Sequence, residues 1–451
     1  MNRTTLKFLG VAAVLPLMLA ACSGGGSDQS SNGTGGATSI DYWLWDSGQQ
    51  PAYQACADAF HTANPDITVK ITQKGWDDYW SALTTGFVAG TAPDVFTDHV
   101  SKYGEFAGQN QLLALDDALS ADGYDLKQYA HGLADLWVAQ DGKRYGLPKD
   151  WDTEAIFYNQ DMATKAGLTP KQMNSLDWNP DDGGTYERAI AHLTVDANGV
   201  RGDEAGFDKG KVAVYGLGLP GSGGPNGQTE WSMYTGTTGW THTDKNPWGT
   251  HYNYDDPEFQ DTITWWHSLI KKGYMPPLET TVGASMNDSF GAGKSAMNVH
   301  GSWMIGSYFG YKGVKVGLAP TPTGPSGKRA SMFNGLADSV WAGTKHPDQA
   351  VKWVEFLGSR DCQDLVAKAA VVFPAISASA DIAKQAFADK GIDVSAFTTQ
   401  VDDGTTFLFP ITDHAADVNA IMQPVMDEVL SGKAPASSLT KANDQVNDLF
   451  K

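Results

Sequence analysis

Residues 146–161 read GLPKDWDTEAIFYNQD, a stretch that places one tryptophan between two aspartates at a break in the chain. Pro148 comes just before Asp150, Trp151 and Asp152, and the apolar segment EAIFYN that follows is typical of a strand. Acidic and aromatic side chains therefore stand together at a junction between two elements. Any account of the fold must explain this junction.

Length and charge limit the architecture and the ligand. The chain has 451 residues, more than one hydrophobic core usually serves, so at least two lobes are expected. The formal charge of −20 would repel a polyphosphate over most of the surface, which argues against a nucleic-acid partner. This charge does not exclude a neutral or cationic ligand.

The N-terminus has the parts of a bacterial lipoprotein signal. A short basic region precedes the apolar run FLGVAAVLPLMLA, and residues 19–22, LAAC, resemble a lipobox. We therefore predict a signal peptide over residues 1–21, a lipid on Cys22, and a location at the cell membrane, facing outside the cytoplasm. The Gly- and Ser-rich residues 22–39 predict a flexible tether. The alternative is an ordinary secreted protein with a free Cys22.

Alternating strand and helix patterns predict a parallel α/β arrangement. SIDYWLWD (39–46) and ITVKIT (67–72) are strand-like, and TAPDVF (91–96) leads into a third strand. Between them, Trp76, Trp80, Leu83 and Phe87 have the spacing of one apolar helix face. Further helices are predicted at 256–274, 346–370, 415–433 and 434–450, and further strands at 211–219, 295–300 and 314–320.

The fifteen tryptophans are more than an average domain needs. Trp80, Trp266 and Trp353 lie in apolar helical patterns and are expected in the core. Four others fall at strand ends or in loops, where packing explains them less well: Trp45, Trp151, Trp231 and Trp303. Ligands of open α/β sheets bind on the loops beyond the carboxyl ends of the strands, so these four are candidate ligand contacts.

No motif specifies a catalyst, a metal site or a cofactor. DSFGAGKS (288–295) resembles the end of a phosphate-binding loop, but Asp288 stands where the first glycine is needed, and its carboxylate would repel phosphate. The ten histidines have no metal-ligand spacing. A glycosidase needs only two facing carboxylates, so a surface-anchored glycoside hydrolase stays an alternative to a non-enzymatic protein.

Two cysteines follow the tether, Cys56 and Cys362. A secreted protein is in an oxidising compartment, where a disulfide between them would persist. Two buried free thiols are the alternative, because buried free cysteine is common.

From Ile40 to its end the chain resembles the family 1 extracellular solute-binding proteins, the sugar-binding group of carbohydrate ABC importers that includes maltose-binding protein. Five ordered motifs carry the resemblance: AGTAPDVF (89–96), YGEFAGQNQLLALDD (103–117), DGKRYGLPKDWDTEAIFYNQDMATKAGL (141–168), FGAGKSAMNVHGSW (290–303) and HPDQAVKWVEFLGS (346–359). It implies an α/β, two-lobed, periplasmic-binding-protein-like fold of type II, with several hinge crossings and a ligand cleft between the lobes. The implied lobes are 40–150 plus 336–380 and 151–335 plus 381–451. Both cysteines would then belong to the first lobe, which favours the disulfide.

The resemblance also implies ligand contacts. Asp152 matches the acidic residue that family members place on sugar hydroxyls at the first crossing, with Trp151 as a nearby platform. Trp303 matches a stacking aromatic residue, and Trp231 lies in a loop that supplies aromatic residues in relatives. Further contacts are expected by position at Trp45, Asp46, Asp98, His99 and Asn334. The C-terminal loop lacks the family's stacking tryptophan, and Phe409 or His414 is the expected substitute.

The implied function is that of a lipid-anchored, monomeric receptor. It would capture a mono- or oligosaccharide by hinge closure and deliver it to the permease of an ABC importer. Asp, Asn and Trp suit a pyranose independently, because the ring has apolar C–H faces and a rim of hydroxyls. A non-sugar polyol such as a polyol phosphate is the alternative ligand, and the absence of clustered Arg or Lys near the proposed loops argues against it. An adhesive surface protein without closure is a further alternative.

Overall fold

A computed structural model describes residues 37–130, 132–282 and 285–451. The predicted signal peptide, the predicted lipid site Cys22 and the first part of the predicted tether lie outside the described residues. Within the described part, no helix is long and apolar enough to cross a membrane.

Strands and helices alternate through most of the chain. The strands are β1 (Thr38–Leu44), β2 (Ile67–Gln73), β3 (Val95–His99), β4 (Leu147–Asp152), β5 (Glu154–Asn159), β6 (Val195–Asp196), β7 (Val212–Leu217), β8 (Ser295–Gly301), β9 (Val316–Ala319), β10 (Ser331–Val340), β11 (Phe373–Pro374) and β12 (Thr406–Leu408). The α-helices are α1 (Gln50–Ala63), α2 (Trp76–Ala89), α3 (Tyr103–Gly108), α4 (Asp116–Ala121), α5 (Gln160–Lys165), α6 (Pro170–Met173), α7 (Gly184–Leu193), α8 (Ser232–Thr235), α9 (Pro257–Lys272), α10 (Met286–Gly291), α11 (Ile305–Phe309), α12 (Pro347–Leu357), α13 (Arg360–Ala369), α14 (Ser377–Asp389), α15 (Ser395–Asp402), α16 (Ala415–Leu430) and α17 (Leu439–Asp448). Short 3-10 helices cover Leu126–Gln128, Asp135–Trp137, Leu278–Thr280, Ser302–Met304 and Ala436–Ser438.

The first sheet has the strand order β11-β4-β10-β3-β1-β2, and β12 pairs with the start of β10. β1 runs parallel to β2 and β3, as the alternating pattern predicts, because helices α1 and α2 make the crossovers. β10 runs antiparallel to both β3 and β4. The sheet is therefore mixed, and only its first three strands follow the predicted parallel arrangement.

The second sheet has the order β6-β7-β8-β5-β9. Its strands β7, β8 and β9 confirm the predicted strands at 211–219, 295–300 and 314–320. β5, the EAIFYN segment, lies between β8 and β9 and runs antiparallel to both. The predicted helices are also present as α9, α16 and α17, while 346–370 divides into α12 and α13 around Gly358.

The chain passes from one sheet to the other with almost no connecting loop. β4 ends at Asp152 in the first sheet, β5 begins at Glu154 in the second, and Thr153 alone separates them. The predicted break at 150–152 is therefore a paired strand, because these residues form backbone ladders with β10 and β11. In this ladder Asp152 lies opposite Asn334 of β10.

Two of the predicted lobe limits fall inside secondary-structure elements. The limit between 150 and 151 falls inside β4, which stays in the first sheet through Asp152. The limit between 380 and 381 falls inside α14, which packs against α13 and β11 of the first sheet. Helices α16 and α17 share the apolar core of the second sheet with Met297 and Trp266.

Cys56 of α1 and Cys362 of α13 form a disulfide on one side of the first sheet. Both cysteines are fully buried among apolar residues that include Ile40 and Trp353. The alternative of two free thiols is wrong. The bridge joins helices that are far apart in sequence and leaves the crossing strands untouched.

Candidate ligand-binding cleft

A cleft of about 550 Å³ lies where the two sheets meet at the crossing strands. One wall comes from the first sheet and its loops, with Trp45, Asp46, Gln49, Trp76, His99, Asp152, Asn334 and Leu336. The other wall comes from the second sheet and its helices, with Gly221, Ser222, Gly223, Asn226, Gly227, Gln228, Thr229, Glu230, His300, Trp303 and Gln423, and Phe409 completes the lining. Both halves of the molecule thus contribute to one site.

The floor of the cleft is the Asp152–Asn334 ladder position. Ser302, just after β8 of the second sheet, donates its hydroxyl to Asp152 Oδ1 at 2.8 Å, so this carboxylate joins the two sheets. Burial, with a smaller contribution from the nearby charge of Glu154, raises the pKa of Asp152 to about 7, although the Ser302 hydrogen bond opposes the shift. Asn334 is 5% exposed, and its Oδ1 accepts no hydrogen bond within the described structure.

An aromatic cluster forms the first-sheet wall. The Trp45 ring centroid lies 5.1 Å from that of Trp76 and 5.4 Å from that of Trp80, with the Trp76 ring perpendicular to it. Trp76 is 45% exposed, although its helical spacing predicts a core position. It occupies the first residue of α2, where the helix begins beside the cleft. This wall offers aromatic faces of the kind that bind the apolar side of a ring-shaped ligand.

Two imidazoles from opposite sheets line the cleft as neutral hydrogen-bond donors. The backbone N–H of Ser101 donates to His99 Nδ1 at 3.1 Å, and that of Gly301 donates to His300 Nδ1 at 2.9 Å. Burial lowers the pKa of His99 to about 3 and that of His300 to about 4. Because each Nδ1 accepts a hydrogen bond from the backbone, each neutral ring carries its proton on Nε2.

A glycine-rich loop, residues 221–230, forms most of the second-sheet wall. Trp231 is 0% exposed and lies beneath this loop, donating its indole N–H to the Ser222 carbonyl at 3.2 Å. Gly227 has φ of +56°, and a Cβ there would come within 2.1 Å of the Trp231 ring. The loop can therefore cover this ring only with glycine at 227.

Hydrogen bonds also tie the loop to α16. Gln423 donates its amide to Ser222 Oγ at 2.8 Å and to Asp427 Oδ1 at 2.9 Å, and Ser222 donates its hydroxyl to the same Asp427 oxygen. Glu230 then projects from the end of the loop, where it accepts the Thr229 backbone N–H at 3.1 Å. Burial raises the pKa of the Glu230 carboxyl to about 7.

A second groove, of about 610 Å³, lies between β9 and α15 at the edge of the second sheet. It contains Lys328 and Arg329 but no tryptophan, and the Arg329 guanidinium already donates to the Thr321 and Asn174 carbonyls. None of the predicted ligand contacts lines this groove. We therefore assign the candidate site to the cleft at the crossing strands.

The sequence matches the family described as bacterial extracellular solute-binding protein over residues 45–364. The chain belongs to this family. It is 26% identical over 438 residues to the maltodextrin-binding protein MdxE of Bacillus subtilis, with 97% of this chain and 94% of that protein covered. The family resemblance predicted from the sequence is thereby confirmed.

Solved structures share the fold of this solute-binding protein. The ABC substrate-binding protein Lmo0181 from Listeria monocytogenes, in complex with cycloalternan, has a TM-score of 0.77 at 20% identity, covering 91% of this chain and 98% of that one. UgpB from Mycobacterium tuberculosis, in complex with glycerophosphocholine, has a TM-score of 0.73 at 18% identity, covering 92% and 98%. These likenesses confirm the predicted two-lobed, periplasmic-binding-protein-like fold of type II.

Six of the ten predicted ligand contacts line the cleft together: Trp45, Asp46, His99, Asp152, Trp303 and Asn334. Trp303 follows β8, and its half-buried ring lies against Gly301, where a Cβ would come within 1.8 Å of it. Of the two expected substitutes in the C-terminal loop, Phe409 lines the cleft and packs edge-on to His99 at 5.2 Å between ring centroids.

Two predicted tryptophan contacts lie outside the cleft. Trp151 is 4% exposed and stacks between Phe373, at 4.7 Å, and Phe333, at 5.8 Å. It points away from the cleft because successive side chains of a strand face opposite sides, and its neighbour Asp152 faces the cleft. Trp231 is buried beneath the glycine-rich loop that it supports.

The other two misplaced contacts are Asp98 and His414. Asp98 is fully buried, and its carboxylate accepts the His99 backbone N–H at 2.8 Å and the Ser339 hydroxyl at 3.2 Å. His414 precedes α16, is exposed, and packs edge-on to Phe450. Neither residue lines the cleft.

Sequence reasoning missed several cleft residues, among them Gln49, Trp76, Gln228, Glu230, His300 and Gln423. The sequence of the glycine-rich loop did indicate a binding loop. Its stretch GSGGPNGQTEW combines clustered glycines with polar residues after the strand β7. Gln423 lies in the middle of a helix, and nothing local in the sequence marks it.

We predict that Gly227→Ala destabilises the protein, because the added methyl group would overlap the Trp231 ring at a positive φ. The free energy of unfolding should fall by about 1–3 kcal/mol, measured by denaturant titration. Gly221→Ala is the matched control, since a Cβ there meets nothing within 4 Å. Equal stability of the two variants would contradict the described loop conformation.

Proposed function

We propose that this solute-binding protein captures a carbohydrate in the cleft and delivers it to the permease of an ABC importer. The chemistry of the cleft lining supports this function. The cleft combines exposed tryptophan faces with carboxylate and amide acceptors and neutral imidazole donors, and no lysine or arginine is among its described lining residues.

This chemistry suits a polyhydroxylated ring. The apolar C–H faces of a pyranose pack against the Trp45, Trp76 and Trp303 rings. Its hydroxyls donate to acceptors such as Asp152 and Asn334, and accept from the Nε2 protons of the two imidazoles. A buried polar group left without a partner costs about 1–3 kcal/mol, so this pairing favours a ligand with hydroxyls over an apolar one.

Capture would work by closure of the two lobes. Trp45 and Trp76 belong to one wall and Trp303 and Glu230 to the other, so a ligand that contacts all four binds most strongly when the walls approach. The crossing strands β4, β5 and β10 form the hinge in this proposal. Closure itself then signals to the permease that the receptor is loaded, and no catalytic group is needed.

The relatives support a carbohydrate ligand. A maltodextrin-binding protein matches this chain over nearly its whole length. The fold neighbour with glycerophosphocholine has a phosphate-bearing ligand, but the cleft of this protein presents no cationic side chain, among the described residues, for a phosphate. The relatives are named as binding proteins, which gives the hydrolase alternative no support.

We also propose that the receptor is anchored at the cell membrane. A lipid on Cys22 would hold a monomeric protein at the cell membrane, facing outside the cytoplasm, and residues 22–39 would serve as the tether. This placement suits a receptor that must meet a membrane permease.

A thermal-shift screen of the purified protein against mono- and oligosaccharides tests the ligand class. At a free concentration of 100 times its dissociation constant, a bound sugar should add about 2.7 kcal/mol to the stability and raise the melting temperature. Failure of every sugar to raise the melting temperature would contradict the proposed function.

Asp152→Ala should weaken binding of the sugar found in that screen by about tenfold or more, because a hydrogen bond to a charged group is worth about 1.5–3 kcal/mol. Isothermal titration calorimetry measures the change, and the melting temperature without sugar shows that the fold is kept. Trp151→Phe is the matched control on the same strand, since Trp151 lies outside the cleft. Unchanged affinity for Asp152→Ala would remove Asp152 from the binding site.

A further inference from the structure

The cleft has a strong charge asymmetry. Its charged lining residues are three carboxylates, Asp46 after β1, Asp152 at the end of β4 and Glu230 in the glycine-rich loop. No lysine or arginine of the described chain lines it. The three carboxylates come from separate elements on both walls of the cleft.

None of these carboxylates forms a salt bridge within the described structure. Asp46 accepts from the Gly48 backbone at 2.7 Å and from the Gln49 amide at 3.0 Å. Asp152 accepts the Ser302 hydroxyl, and Glu230 accepts one backbone N–H. All these donors are neutral.

The floor of the cleft also holds a hydrogen-bond acceptor, the Asn334 side-chain oxygen, that has no donor within the described structure. Asn334 is 5% exposed and lines the cleft. A donor on a bound ligand would satisfy this buried acceptor. The aromatic faces of Trp45, Trp76 and Trp303 also attract positive charge through their ring quadrupoles.

The pKa values of Asp152 and Glu230 are consistent with a cation in the cleft. Burial raises the pKa of both Asp152 and Glu230 to about 7. A cation within a few ångströms stabilises the ionised form and would bring these pKa values down, so binding of a cation and ionisation of the acids favour each other.

We propose that the ligand is a sugar that carries a protonated primary amine, with Glu230 as its counter-ion. Glu230 accepts from Thr229, its neighbour in the loop, while Asp46 and Asp152 are each held by a side chain of another element. An ammonium group has three donors and no acceptor, so it complements a carboxylate, an amide oxygen and aromatic faces at once. The net charge of −20 would also attract a cationic ligand over distance. This inference rests on the proposed function, since it assigns a charge to the sugar ligand of the same cleft.

Matched sugars that differ in one substituent test the proposal. Calorimetry at pH 7 and low salt measures the affinity for glucose, glucosamine and N-acetylglucosamine. Galactose, galactosamine and N-acetylgalactosamine form a second series, measured in the same way. In at least one series the amine should bind about tenfold or more tightly than the hydroxyl and N-acetyl forms, because hydrogen bonds between charged groups are about twice as strong as neutral ones.

Variants then locate the counter-ion. Glu230→Gln keeps the size of the side chain and should abolish the preference for the amine over the hydroxyl form, because it removes a charge and keeps a hydrogen-bonding group. Asp261→Asn removes one negative charge from the exposed face of α9, outside the cleft, and should leave the preference intact.

The outcomes separate this inference from the proposed function. Equal or tighter binding of the neutral sugars in both series would overturn the cationic ligand, and a preference that survives Glu230→Gln would overturn Glu230 as its counter-ion. Either result would leave sugar capture standing. Absence of binding for every sugar, in these series and in the thermal-shift screen, would overturn both.

Discussion

The backbone ladder between β4 and β10 is the constraint on which the cleft depends. It places Asp152 opposite Asn334 at the point where the chain leaves the first sheet, with Thr153 alone before the second sheet begins. A ladder residue cannot move away from its paired strand without breaking backbone hydrogen bonds. Asp152 and Asn334 therefore keep their relative position, and the walls, carried on loops and helix ends, are the parts of the site that can approach one another.

A buried polar layer in the first sheet reinforces this ladder. Lys149 of β4 donates its ammonium to the Tyr42 hydroxyl at 2.8 Å and to Thr97 Oγ1 at 2.7 Å, and Tyr42 donates to Asp338 of β10 at 2.7 Å. Burial lowers the pKa of Lys149 and raises that of Asp338. A slip of one residue in the register of β4 would separate these partners and leave charges unpaired in the interior.

Local periodicity in the sequence predicted the elements well, because strand and helix patterns are set by neighbouring residues. The parallel β1–β3 arrangement, α9 and α16 follow from such patterns. Asp152 and Trp303 were found through the family motifs that contain them. The predicted contacts that do not line the cleft differ in which way the side chain faces. Trp151 and Asp152 are adjacent in sequence, yet the alternation of a strand sends them to opposite sides, and only the sheet pairing tells which side is the cleft. Trp231 lies in a loop by sequence but is covered by the glycines before it, a long-range fit that no local pattern reveals.

In the proposed function, a sugar held between the two walls brings them together about the crossing strands. Small-angle X-ray scattering of the purified protein, with and without a saturating sugar from the thermal-shift screen, measures this directly. The account predicts a smaller radius of gyration with the sugar, because closure about the crossing strands brings the lobes together. Identical scattering curves at saturating sugar would contradict it.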